Sequence, residues 1–185
     1  MKFYMKLQDW LAGPFSQKMQ KFMQNPYMHA LQVCFTIILP MIMVGSLASL
    51  VNTFRNFAPW LPDLSLINSF SFGLISIFMA FLIPYTIMES KKLQKQKMIT
   101  GFASVSALIA LANPQYVDGN LVINSGYVGT GGMTVAMVIG LVIGWLFSAY
   151  FKHGLFKKDS SLPSVVVVWF ESILIIFVLI LVCII

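Results

Sequence analysis

"SKKLQKQKMITGFASVSALIALANP", Ser90 to Pro114, decides how this chain is threaded. Lys91, Lys92, Lys95 and Lys97 precede an apolar run from about Met98 to Ala112, and Asn113-Pro114 stops it. That run holds about 15 residues, short of the roughly 20 that a bilayer-crossing helix needs. Whether it crosses fixes the side on which everything after it lies.

Charge placement on either side supplies the answer. Longer apolar segments run from about His29 to Thr53, Phe70 to Met88, Met133 to Phe151 and Pro163 to Ile185. Lys2, Lys6, Lys18 and Lys21 precede the first, and Lys152, Lys157 and Lys158 lie between the last two. The other connections hold only Arg55, Asp63 and Asp118. With all five segments crossing, every lysine falls on one side, which the positive-inside rule makes cytoplasmic. Without the short one, Lys152, Lys157 and Lys158 fall outside. The expected fold is an all-α integral membrane protein with five transmembrane helices, N-terminus in and C-terminus out.

Composition agrees: 58% of the residues are hydrophobic and only 10% charged, which excludes a soluble domain. The net charge of +6 is then a topology signal and a contact with anionic headgroups, so no nucleic-acid partner is expected. Before the first span, Phe15, Met19, Phe22 and Met23 share a face opposite Gln17, Lys18, Gln20, Lys21 and Gln24. This pattern predicts an N-terminal amphipathic interfacial helix. Residues 1–28 form that interfacial segment and 29–185 one five-helix transmembrane domain.

The connections carry turn chemistry. "RNFAPWLPDLS" (Arg55 to Ser65) reads as a rigid interfacial turn anchored by Trp60. Beyond Asn113-Pro114, Asp118-Gly119 marks a turn, and Leu121, Ile123 and Tyr127 alternate as in a short strand or hairpin. Pro40 interrupts the first span and Pro84 the second; Gly45-Ser46 offers a small-residue contact surface.

Few groups suggest chemistry. Gly129-Thr130-Gly131-Gly132 opens the fourth span: its free backbone N–H groups suit an anion or hydroxyl, or the loop simply needs positive φ. Glu171 is an acid about 12 Å into an apolar segment, either functional or a bonded helix-seam residue. Gly129, Thr130, Gly131 and Glu171 are therefore the candidate substrate-binding residues. Cys34 and Cys183 lie in apolar runs, and with only His29 and His153 no metal site or cofactor is expected. No Ser/His/Asp grouping or carboxylate pair is visible, so an enzyme is not expected.

In order along the chain, these marks resemble the enzyme IIC membrane components of lactose/cellobiose-type phosphotransferase sugar systems. "HALQVCFTIILPMIMVGSLASLVN" is similar to the family's first helix at Ala30, Leu31, Phe35, Leu39-Pro40 and Gly45-Ser46, with Gln32, Val33 and Cys34 replacing its Arg-Asp-Gly. "FLIPYTIMESKKLQKQKMITGFASVSALIALANP" resembles its second cytoplasmic turn and third helix, and "GYVGTGGMTVAMVIGLVIGWLF" its Gly-Thr-x-Gly helix start. "LPSVVVVWFES" resembles its fifth-helix opening at Pro163, Val166, Phe170 and Glu171, with Val168 in place of Arg. The resemblance covers the family's N-terminal half. It implies a partial sugar permease in a bacterial cytoplasmic membrane, acting as a dimerising scaffold whose transport half, with the sugar-binding His and Glu motifs, is missing. Implied partners are a second copy or another membrane protein, an enzyme IIC second half, or the soluble IIB and IIA components. The alternative is a non-transporting membrane protein that binds or regulates a full-length permease.

Overall fold

A computed structural model describes residues 16–153 and, beyond them, Ile173, Ile176 and Phe177. The rest of the expected fifth span, with Pro163, Glu171 and Cys183, lies outside the described residues, as do Lys2, Lys6, Phe15, Lys157 and Lys158. Helix α1 spans Ser16–Met23, α2 Pro26–Arg55, α3 Ser65–Phe72, α4 Ile75–Ser90 and α5 Lys97–Leu111. A hairpin of β1 (Gln115–Val117) and β2 (Asn120–Val122) follows, then the single turn α6 (Ser125–Val128), a 3₁₀ turn over Thr130–Gly132, and α7 (Met133–His153).

Among the described residues, three helical stretches are long and apolar enough to cross a membrane: Pro26–Arg55, Ser65–Ser90 and Thr130–Lys152. This is a membrane protein by length and composition. The short segment forms α5, whose 15 residues rise about 22 Å against a hydrocarbon core of about 30 Å. It packs on both α4 and α7.

The first span starts at Pro26, three residues before the apolar run. Asn25 caps it by accepting from the Tyr27 N–H (3.1 Å), and Pro26 supplies a preset φ at the first turn. The helix continues through Pro40. The second span departs from the expected single helix: it is two helices, broken at Gly73-Leu74. At Leu74 the backbone leaves helical geometry (φ −120°, ψ 6°), and a Cβ on Gly73 would collide with the Ser69 carbonyl.

Helix α4 is the centre of the bundle, touching α2, α5 and α7. It buries Ile75, Met79, Ile83, Pro84 and Ile87 on the broad side that faces its neighbours, while Phe78 on the remaining side is 40% exposed. Its neighbours meet it with small residues. Ala136, Gly140, Gly144 and Ser148 recur every fourth position on α7, and all are buried. A Cβ on Gly140 would lie 3.0 Å from Ile83 Cβ. Likewise Gly101 of α5 sits under Phe81, whose ring would come within 2.6 Å of an added Cβ. In lipid, where apolar burial gives helices no advantage over solvent, such close backbone approach is what binds them.

The ends of the bundle are fastened differently. Arg55 pairs with Asp63 (2.8 Å), and Leu64 N–H donates to Asn52 Oδ1 (2.9 Å), closing the turn that carries exposed Trp60. Ser65 N–H donates to Asp63 Oδ1 (2.9 Å); the hydrogen bonds from Ser65 hold the Asp63 carboxyl below its usual range, with Arg55 a lesser cause. A depressed folded value means that this contribution is present above the ordinary carboxylate range, about 3.9, and is lost as pH falls through the lower folded value. In an NMR titration in micelles, Arg55→Ala is therefore expected to leave the Asp63 midpoint below the ordinary value. A midpoint restored to that value would show Arg55 to be the main cause.

The hairpin forms as its turn signal predicts. Val117 pairs with Asn120 across a two-residue turn in which Asp118 (φ 49°) and Gly119 (φ 80°) are both left-handed, the mirror-image turn that matches strand twist. The strands end at Val122, so Ile123 lies outside them, and Tyr127 belongs to α6.

Candidate functional site

The glycine turn before α7 lodges against the break in the second span. Gly129 approaches the chain at Phe72 and Gly73 so closely that a Cβ there would lie 3.3 Å from Phe72 O and 3.5 Å from Gly73 Cα. Buried Ser76 donates its hydroxyl to Gly129 O at 2.5 Å, tying α4 to the turn. Asn124 caps α6 by accepting from Gly126 N–H (2.9 Å). Gly131 backs onto Gly126 O, and a Cβ on Gly132 would run into the Tyr127 carbonyl.

None of Gly129, Gly131 and Gly132 has positive φ. The glycines are required for close backbone approach, and this corrects the expectation that the loop needs a left-handed residue. Gly129 and Gly132 are buried, whereas Thr130 and Gly131 are exposed.

Three of the four candidates thus come together. Gly129, Thr130 and Gly131 line an open cavity of about 300 Å³ with Asn68, Ser69, Phe72, Gly73, Ser125 and Gly126. Its walls are backbone amides, the Asn68 side chain, small hydroxyls and one aromatic ring, with no charged side chain among the described residues. Asn68 Oδ1 is buried there without a hydrogen-bond partner among the described residues. This chemistry suits a neutral hydroxyl group or water better than an anion. Glu171, the fourth candidate, lies outside the described residues.

The opposite end holds a cluster that the sequence did not single out. Lys91, from the turn after α4, donates from Nζ to Tyr27 OH of α2 and to Ser148 Oγ of α7, both at 2.7 Å. Its ammonium also lies 4.5 Å from the centre of the Tyr27 ring, a cation–π contact. In the sequence Lys91 is one of four clustered lysines, with nothing to separate it from its neighbours. Among the described residues no cluster of His, Cys, Asp and Glu is suited to a metal.

Comparison with family models, with curated proteins and with solved structures returns no significant match.

Proposed function

We propose that this chain is a membrane-embedded helical scaffold, akin to the N-terminal half of a phosphotransferase enzyme IIC, that pairs with a second copy through α2 in a bacterial cytoplasmic membrane. The observation that carries this reading is the outer face of α2. Phe35, Leu39, Met43, Leu47, Leu50 and Phe54 recur every three or four residues and are 40%, 52%, 62%, 61%, 55% and 61% exposed. They form one stripe along most of a 30-residue helix, while Ala30, Cys34, Ile38, Gly45 and Ala48 bury the other side. A stripe at that spacing suits helix packing at a shallow crossing angle.

The distribution of charge supports the orientation. Lys91 and Lys152 sit at the end of the bundle where α2 begins and α7 finishes; Arg55 ends α2 and Asp63 lies in the turn that follows it. With the basic end facing the cytoplasm, α1 lies in the inner interface with Met19, Phe22 and Met23 exposed toward lipid.

Disulfide scanning in native membranes tests the pairing. In a background lacking Cys34 and Cys183, Met43→Cys and Leu47→Cys are expected to give a covalent dimer on oxidation. Ala48→Cys, 3% exposed on the packed face, is expected to stay monomeric. A monomer at every stripe position overturns the reading in favour of a lipid-facing helix. Capture of an intact permease in place of a second copy favours the regulatory alternative. Saturable uptake of a labelled disaccharide by the chain alone would overturn the scaffold role.

A further inference from the structure

We infer that the cavity beside Lys91 is a binding site for the phosphate of an anionic phospholipid headgroup. Tyr27, Lys91, Leu93, Trp145, Ser148, Ala149 and Lys152 enclose about 450 Å³ between the start of α2, the turn after α4 and the end of α7. Two cations and two hydroxyls face this space, and among the described residues no carboxylate lines it.

Charge balance distinguishes Lys91 from its neighbour Lys97. Lys97 is neutralised by Glu89 at 2.9 Å. Lys91 is partly buried, yet its hydrogen bonds go only to neutral hydroxyls, and no acid among the described residues pairs with it. A cation held away from bulk water without a counterion favours an incoming anion. The hydroxyls are arranged for this. Ser148 Oγ spends its proton on Trp145 O (2.9 Å) and accepts from Lys91, which holds the ammonium in place. Tyr27 OH also accepts from Lys91, and no acceptor for its own proton is found among the described residues. An oxyanion in the cavity would take that proton, the remaining N–H of Lys91 and a contact from exposed Lys152.

The surface leading away from the cavity selects lipid over a free phosphate ion. Val135, Val138, Val142 and Trp145 lie on one face of α7 and are 37%, 55%, 54% and 57% exposed. This apolar track runs along the helix and ends at the cavity mouth, as an acyl chain below its headgroup requires. Trp145 at the join has the amphipathic ring expected at headgroup level. Basic pockets between helices at a membrane surface are suited to such headgroups.

Native mass spectrometry of the full chain in detergent tests this with three probes: phosphatidylglycerol, phosphatidylcholine and inorganic phosphate. Phosphatidylglycerol is expected to bind more tightly than phosphatidylcholine, and inorganic phosphate not to displace it at equal concentration. Lys91→Gln and Lys152→Gln are each expected to weaken phosphatidylglycerol binding about fivefold, and together about 30-fold. Lys97→Gln is expected to leave it unchanged. Lys152→Gln alters no hydrogen bond or ion pair of the described residues, so it carries the test even if Lys91→Gln fails to fold. Equal affinity for the two lipids, or a preference that survives the double variant, overturns the proposal. Displacement by inorganic phosphate overturns the lipid assignment.

Discussion

Gly144→Leu is expected to destabilise the bundle by about 2–4 kcal/mol, while Gly144→Ala costs less than about 1 kcal/mol. The difference follows from what each side chain meets. A Cβ at 144 lies 2.6 Å from Ile87 Cδ1, the far end of a flexible side chain that can turn away. A leucine must go further and press on Pro84 Cα, backbone already 3.3 Å from that Cβ. Because α4 also supports α2 and α5, pushing α7 off it loosens the whole packed layer. In detergent, a fall in melting temperature of about 5–15 °C is expected for Gly144→Leu. Val142→Leu, on the exposed face, is expected to melt as the parent does. Similar melting for Gly144→Leu and Val142→Leu would show that the α4–α7 seam is not tightly packed.

Gly132→Ala is expected to be as damaging as Gly132→Val, at about 2–4 kcal/mol each. Here the obstacle is the Tyr127 carbonyl, main chain that no rotamer change can move. Even one methyl group must displace the 3₁₀ turn, and with it Gly129, whose carbonyl receives the Ser76 hydroxyl. The cavity beside Asn68 is expected to collapse with the turn. Gly119→Asn serves as the control: its φ of 80° is left-handed, which asparagine tolerates, and nothing lies within 4 Å of an added Cβ. Limited proteolysis between Asn113 and Gly132 reads the result, with faster cleavage expected for both Gly132 variants. Cleavage at the parental rate in Gly132→Ala would remove the close approach from the account.

The two glycines differ in how far the sequence foretold them. Gly132 stands in a run whose density marks a tight turn, although the reason, close approach rather than positive φ, came only with the fold. Gly144 looks like any glycine in an apolar helix, and its four-residue spacing from Gly140 matters only because Ile83, Pro84 and Ile87 face it. The break at Gly73-Leu74 was hidden for a related cause. Its flanks are apolar on average and carry no charge, so hydropathy reads one continuous span, and the interruption makes sense only where Gly129 packs against it. Of the candidate residues, Gly129, Thr130 and Gly131 were legible as a group, being neighbours in sequence. Lys91 was not, because its partners Tyr27 and Ser148 are 64 and 57 positions away.

By itself the sequence determined the membrane class, the apolar segments among the described residues, the grouping of lysines between them and the Asp118-Gly119 hairpin. Each is a property of a local stretch, set by how its own side chains partition between water and lipid or by its own backbone preferences. Tertiary structure alone decided which small residues form the seams around α4, where the second span breaks, and which lysine bonds to two neutral hydroxyls. Those depend on atoms brought together from distant parts of the chain, and no local pattern encodes which helix will face which.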